Sequence, residues 1–400
     1  MLILALFAFF HFDGITKEIF SYAATKGCEK VVNSALPLAS SLIDHTFLQL
    51  DDTGNWDNYI FKQGIQVLLS FSLIKQHSSK GMYDVHPLIH AWERDRMSFE
   101  DKQTYCLKAY VISAGSLAEK FDEQPYGFRR VLVTHVRANI QHSVMKKKKM
   151  VDKYFDDAYS KFGRMLREQG YDKEAEQFQI QVLDERSRTL GEEHPDTINA
   201  INDLACTYWN LGKYADAEKL QIKVLDLRNR YLGDEDLDTI WAVGNLAVTY
   251  QSLGKYVVAE ELSIDVLNRR NKLLGEEHPD TITAMNNLAS AHEDLGKYAV
   301  AEKLRTKVLD LRNKLFEKED PDTISAMSNL AHIYQKLAKY ADAERLQIKV
   351  LDLRNKLLGE EHPDTIQTIG NLANAYYGLG KYADAEELQI KVQDLRNKLL

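Results

Sequence analysis

The eight residues GEEHPDTI at 191–198 return unchanged at 275–282 and 359–366, and in altered form as GDEDLDTI at 233–240 and EKEDPDTI at 317–324. Successive copies are always 42 residues apart. A strict period of that length marks a solenoid, in which each unit packs only on its neighbours. Two glutamates, a histidine, an aspartate and a threonine within eight residues have the density that a metal or acid–base site needs. Their repetition argues against one. Copies carried on successive layers would lie about 10 Å or more apart, and two of the five lack the histidine. The motif reads instead as punctuation. Its glycine ends one helix and its acidic pair is a solvated turn; the next helix opens with proline at N1 and, in the first copy, Asp196 in the positive first turn.

In register the units run 149–190, 191–232, 233–274, 275–316, 317–358 and 359–400. Each reads as two helices. The first carries NLAVTY, NLASAH, NLAHIY or NLANAY, in which Leu246, Ala247 and Tyr250, or Leu330, Ala331 and Tyr334, share one helical stripe. A turn follows, LGKY at 211, 253, 295 and 379 and LAKY at 337. Gly212, Gly254, Gly296 and Gly380 suit a helix end that needs positive φ, so Ala338 is expected to be the strained member. The second helix, ADAEKLQIKVLDLRNRYL in the second unit, sets Ala217, Leu220 and Val224 on one face. Ala205 and Ala217 let the paired helices approach, while Leu204, Tyr208, Tyr214 and Val224 fill the space between layers. The arginines Arg228, Arg312 and Arg354 of the recurring DLRN fall near second-helix ends, where a cation offsets the helix dipole.

These residues resemble tetratricopeptide repeats, specifically the long 42-residue variety of kinesin light chains and of many fungal and bacterial signalling proteins. The resemblance covers 191–400 and extends with fewer motif residues over 149–190, where Phe162, Gly170, Ala175, Glu176 and Val182 keep register. It implies an all-α fold, a right-handed superhelix of antiparallel helix pairs. The eight residues beyond the usual 34-residue unit lengthen the two helices by roughly 12 Å in total, which deepens the groove. In the family, first helices line that groove and the residue before LA points into it. Here it is Asn245, Asn287, Asn329 and Asn371, with Asp203 in the second unit. A carboxamide offers both a donor and an acceptor to an extended backbone without selecting for charge. Flanking positions by the same register are Trp241, Gln251, Asn286, Glu293, Gln335 and Asn374. The asparagines serve either peptide contact or bonds to neighbouring helices that hold repeat geometry.

Before the array there is no period. NYIFKQGIQVLLSFSLIKQ reads as a helix running into a strand, HSSKG as a turn, MYDVH as a return strand, and PLIHAWERDRMS as a helix with proline at N1. Helix, hairpin at about 72–86 and helix resemble the winged-helix segment that follows the nucleotide-binding core of STAND NTPases, the NB-ARC and NLR-like signalling ATPases. In fungal members with tetratricopeptide tails, phrases like SLIKQ…YDVHPLIHAWERDR and FRRVLVTHVRANI stand in the same places. The resemblance implies a winged-helix-like domain over 1–97, a helical bridge over 98–148 and the repeats over 149–400. In that family a Met-His-Asp histidine touches the ADP phosphate. His86 matches its position, with Pro87 where the aspartate stands; the other reading is a buried histidine bonded to backbone. No GxxxxGK[ST] phosphate loop occurs, so an NTPase core is expected upstream or in another chain.

Composition excludes further classes. The chain is 44% hydrophobic and 28% charged, a foldable balance. Residues 1–149 carry 18 Lys/Arg against 15 Asp/Glu, whereas 150–400 carry 33 against 44. An acidic repeat half does not fit a phosphate backbone, and the helix before the hairpin offers only Lys62 and Lys75 to DNA, so no nucleic acid is expected. The apolar run MLILALFAFF falls short of the roughly 20 residues of a membrane span and reads as a buried helix; no membrane partner is expected. Lys146–Lys149 reads as a solvated linker or an import patch. Cys28, Cys106 and Cys206 lack metal or disulfide spacing, which fits a reducing, cytoplasmic setting. No catalytic constellation, metal set or cofactor motif appears. The chain therefore reads as a non-enzymatic interaction scaffold without a cofactor, the sensor arm of an NLR-like STAND protein that binds a protein or peptide in its groove. The alternative is a kinesin-light-chain-like cargo adaptor. The last unit lacks a polar capping helix, so its apolar face is expected to meet a further segment or partner.

Overall fold

The structure, a computed structural model, describes residues 2–31, 48–77, 81–118, 124–142, 153–317 and 319–399. Lys146–Lys149 lies outside them. The chain forms two compact units, residues 1–213 and 214–400, dividing between the two helices of the second repeat.

The first unit contains α1 (Leu2–Phe7), β1 (Ile15–Thr16), α2 (Lys17–Val31), α3 (Tyr59–Ser70), β2 (Ile74–Gln76), β3 (Met82–Val85), α4 (Pro87–Asp95), α5 (Phe99–Gly115), α6 (Tyr126–His142), α7 (Lys153–Glu168), α8 (Asp172–Thr189) and α9 (Pro195–Asn210). The apolar opening is a short helix, and the chain is buried from Ile3 in that helix to Phe10 just beyond it. Its Phe7 and Phe10 join Phe20, Phe61 and Phe128 in one core that continues into Phe162 and Met165 of α7 and Ala175 and Phe178 of α8. The expected hairpin is present, with Ile74 opposite Val85. The sequence reading missed a third strand: β1 pairs with the other edge of β3, giving the order β1-β3-β2. Two residues are too few to show an alternating pattern.

Residues 8–14 are irregular backbone, buried over Ala8, Phe9 and Phe10, so the polar groups of that stretch need side-chain partners. Arg94 Nη1 donates to the Ala8 carbonyl at 2.9 Å, Asn139 Nδ2 to Phe9 at 3.2 Å, and His90 Nε2 lies 2.9 Å from the Phe10 carbonyl. His135 serves both ends of the segment, accepting from the His11 N–H at 3.1 Å and donating from Nε2 to the Gly14 carbonyl at 3.1 Å. Fully buried, His135 is held neutral, its pKa pushed down to about 4 by desolvation.

The second unit contains α10 (Tyr214–Leu232), α11 (Leu237–Ser252), α12 (Tyr256–Leu274), α13 (Pro279–Asp294), α14 (Tyr298–Leu315), α15 (Pro321–Lys336), α16 (Tyr340–Leu358), α17 (Pro363–Gly378) and α18 (Tyr382–Leu399). The helices alternate along the chain as first and second members of each repeat. The core is built in layers. Val308 of α14 packs with Ile282 and Met285 of α13 and with Ala326 of the next first helix; Val266 does the same with Ile240, Val243 and Ala284. No pair closes its own face.

The turns follow one design. At 254, 296 and 380, as at 212 in the first unit, the glycine has φ of 70–77°, and the following lysine donates to the carbonyl five residues back at 2.8–2.9 Å, which satisfies a helix-end acceptor. Ala338 adopts φ 57° and makes the same bonds. The lysine side chain then ties each turn to the preceding repeat: Lys255 to Glu218, Lys297 to Glu260, Lys339 to Glu302 and Lys381 to Glu344 at 2.6–2.7 Å. Helix starts are equally regular. His278 and His362 cap α13 and α17, each Nδ1 accepting from the aspartate N–H two residues on, and proline takes N1. The DLRN arginines differ from expectation. Arg228 and Arg354 reach forward rather than capping their own helices, donating to the carbonyls of Asp238 and Asp364 in the next first helix at 2.7 and 2.9 Å. Arg312 instead pairs with the Asp322 carboxylate at 3.0 Å.

Ala338→Gly removes a left-handed alanine that costs about 1–2 kcal/mol, offset in part by the roughly 0.5–1 kcal/mol entropic cost of glycine; a net gain of roughly 0.5 kcal/mol or more is expected as a raised urea midpoint. His135 binds a proton in the unfolded chain below pH 6.5 but in the folded chain only below about 4. Stability of the first unit is therefore full above pH 6.5 and falls as pH drops through this window, by about 3 kcal/mol at its foot. Unfolding midpoints against pH will show that slope in the wild type and a flatter one in His135→Gln.

Candidate partner-binding face of the repeats

The residue before LA is half-buried in all four repeats of the second unit: Asn245 on α11, Asn287 on α13, Asn329 on α15 and Asn371 on α17. Four residues before and three residues after each asparagine, the same helical stripe carries Trp241 and Val248, Thr283 and Ser290, Ser325 and His332, and Gln367 and Asn374. All twelve positions are half-buried or exposed, and none bears a carboxylate, lysine or arginine. The stripe is a carboxamide, hydroxyl and aromatic surface. Second helices differ sharply, with their lysines and glutamates paired between repeats.

The expected groove residues separate into two groups. Asn286 and Glu293 face inward to Arg305 of α14: Arg305 Nε and Nη2 donate to Glu293 Oε1 at 2.9 and 2.7 Å, Nη2 also to Ser290 Oγ at 2.9 Å, and Nη1 to Asn286 Oδ1. Gln335 is likewise engaged, its Nε2 donating to the Asn371 carbonyl at 2.7 Å. Those three hold helices together. The amide nitrogens of Asn245 and Gln251 are buried with no hydrogen-bond partner among the described residues. Trp241 is exposed, its ring 5.8 Å from the Arg228 guanidinium carbon, and Asn374 is exposed. In the first unit Asp203 lies 3.7 Å from Arg167 Nη2.

Asn286 and Asn329 meet at a cavity of about 250 Å³ between α13, α14 and α15, floored by Ile282, Val308 and Ala326 and rimmed by Thr283, Ser325, Arg312 and Asp322. Sequence reasoning placed Arg312 correctly on its helix and missed its place at this rim. It also missed Arg305, which sits where neighbouring repeats carry glutamine or serine.

Outside the repeats, His86 is exposed rather than buried and caps α4, its Nδ1 accepting from the Leu88 N–H at 3.2 Å. This is the His-Pro cap of the repeat helices again. Asp13, His77 and Asp84 bring ligand-type atoms within 4.8 Å of one another. His77 bonds Asp84, and a hydrogen bond to Asp84, burial and the neighbouring Asp84 charge raise the Asp13 carboxyl pKa. The Gly14 N–H also donates to Asp84, at 2.8 Å. Among the described residues no helix is long and apolar enough to cross a membrane.

The tetratricopeptide repeat profile matches residues 154–221, 207–272, 238–314 and 322–398. Among solved structures, a Podosopora anserina protein described as a kinesin light chain with nearly identical TPR-like repeats is 27% identical, with 52% of this chain and 97% of that one covered and a TM-score of 0.46. BtubC (BKLC) from P. vanneervenii is 25% identical over 56% and 92%, with a TM-score of 0.48. A Rap protein complexed with Competence and Sporulation Factor is 13% identical over 78% of this chain and 91% of that one, with a TM-score of 0.47. No curated protein matches. The repeat match covers more than half of the sequence, and the chain belongs to the tetratricopeptide repeat family.

Proposed function

We propose that the chain is a protein-interaction scaffold whose first-helix face captures an extended, largely uncharged segment of a partner protein. The observation that carries this reading is the run of four asparagines at one register within a twelve-residue stripe free of carboxylates and strong bases. An extended backbone needs donors and acceptors at regular intervals, and carboxamides supply both. The chain is not read as an enzyme: no nucleophile–base pair or carboxylate pair converges on this face.

The context we propose is the sensor arm of an NLR-like STAND protein. Residues 1–97 would form a winged-helix-like relay and 98–148 a helical bridge, coupling capture by the 149–400 array to an NTPase in cis or in trans. The order α3, hairpin, α4 supports this reading. A kinesin-light-chain-like cargo adaptor is the second reading, favoured by the 42-residue period and its asparagine before LA. A cytoplasmic location is part of both proposals.

Asn287→Ala combined with Asn329→Ala is expected to cut capture from a peptide library at least ~tenfold, since two lost hydrogen-bonding groups at about 1 kcal/mol each exceed the 1.4 kcal/mol that a factor of ten requires. Circular dichroism should be unchanged. Undiminished capture would assign the asparagines to repeat geometry. Because the face lacks fixed charges, capture should also vary little with ionic strength. Calorimetry with ATP or ADP and magnesium should show no heat of binding; tight binding would overturn the placement of the NTPase outside this chain.

A further inference from the structure

Arg305 occupies a position that recurs every 42 residues on the second helices, filled elsewhere by Gln179, Gln221, Ser263, Gln347 and Gln389. From Gln179 to Gln347 every member of the series is buried, Arg305 to 4% exposure and Gln347 to 0%. Arg305 is its sole cation. Its partner Glu293 also departs from its register, where neighbouring repeats carry Gln251, Gln335 and Tyr377. In the second unit the two changes occur together, in the same repeat, and the structure joins them through two hydrogen bonds to one carboxylate oxygen.

Their exposure is unequal. The Arg305 side chain is 5% exposed and Glu293 18%, so the carboxylate borders the partner face while the cation stands behind it. The guanidinium also holds Asn286 and Ser290, the residue before and the residue three after Asn287. A glutamate here without its counter-ion would give a neutral stripe one negative rung. With the counter-ion, the rung has the polarity of its neighbours.

We infer that Arg305 is a specificity-determining residue: an internal counter-ion that cancels Glu293 and so restricts the α13 rung to a segment of the partner that is uncharged where it crosses. The inference rests on the peptide-capture reading for its ligand, but its electrostatic part can be tested without one. Arg305→Gln installs the residue found at 221, 347 and 389, and Arg305→Gln with Glu293→Gln reproduces the Gln335–Gln347 pair of the next repeat, so the double variant uses a combination that this fold already accommodates.

The test has two arms. In the first, a random peptide library is captured on wild type, Arg305→Gln and the double variant. The single variant should enrich lysine or arginine at one peptide position at least ~tenfold, the effect of about 1.4 kcal/mol of unmasked charge, and the double variant should return to the wild-type profile. An Arg305→Gln profile equal to wild type overturns the inference. In the second arm, His332 on α15 is a reporter titrated by NMR. Burial lowers its pKa; Glu293 raises it, and Lys336 and Arg305 lower it further. Arg305→Gln should therefore move its midpoint to higher pH, and adding Glu293→Gln should bring it back. If no library member binds wild type, the capture reading fails and His332 decides alone: an unmoved midpoint in Arg305→Gln overturns the counter-ion assignment, and a shift reversed by the second substitution upholds it.

Discussion

A valine on each second helix closes the structure of the second unit. Val266 and Val308 are each buried against their own first helix and against the first helix of the next repeat, and without that second contact half of each apolar stripe would face water. At about 25 cal/mol per Å² of apolar surface removed from water, the stacking contact is what makes an isolated helix pair unstable and a row of them stable. The remaining regularities depend on this contact. The left-handed turns set the angle at which one pair meets the next, the forward-reaching arginines tie second helices to the helices that follow them, and the lysine–glutamate rungs join each turn to the second helix of the preceding repeat.

The two surfaces that result have opposite chemistry. Second helices carry paired charges, and the Lys297 ammonium beside Glu260 holds that carboxyl below its ordinary pKa, with His292 adding to the effect. Pairs with an exposed member contribute little stability individually. First helices leave carboxamides instead. On the capture reading proposed above, a partner at the first-helix stripe would meet groups that donate and accept but neither attract nor repel by charge, and selectivity would come from hydrogen-bond spacing and from the few positions that break the repeat.

Period and turn chemistry made much of the fold legible. The helix boundaries, the capping prolines and even the strained Ala338 follow from spacing and residue type, because local backbone demands recur with the motif. What stayed hidden has a common cause. Register shows which way a side chain points but not whether another side chain already holds it, so Asn286, Glu293 and Gln335 looked equivalent to Asn287 until Arg305 and the Asn371 carbonyl were seen to engage them. Arg305 itself was obscured by the period, which directs attention to what repeats. His86 illustrates the converse. Its likeness to a nucleotide-sensing histidine is distant in sequence, whereas the cap it forms is the one seen at His278 and His362. β1 was missed because pairing with β3 depends on a partner some seventy residues away.

The layered core has an evolutionary corollary. Each repeat presents its packing face only to the repeats on either side and its asparagine stripe to neither, so a change on the stripe leaves the stacking residues of other layers undisturbed. Duplication can therefore supply identical rungs and substitution can alter them singly; the Glu293–Arg305 layer is one that differs from its neighbours. An array of this kind can acquire a new ligand preference one rung at a time while its architecture stays constant.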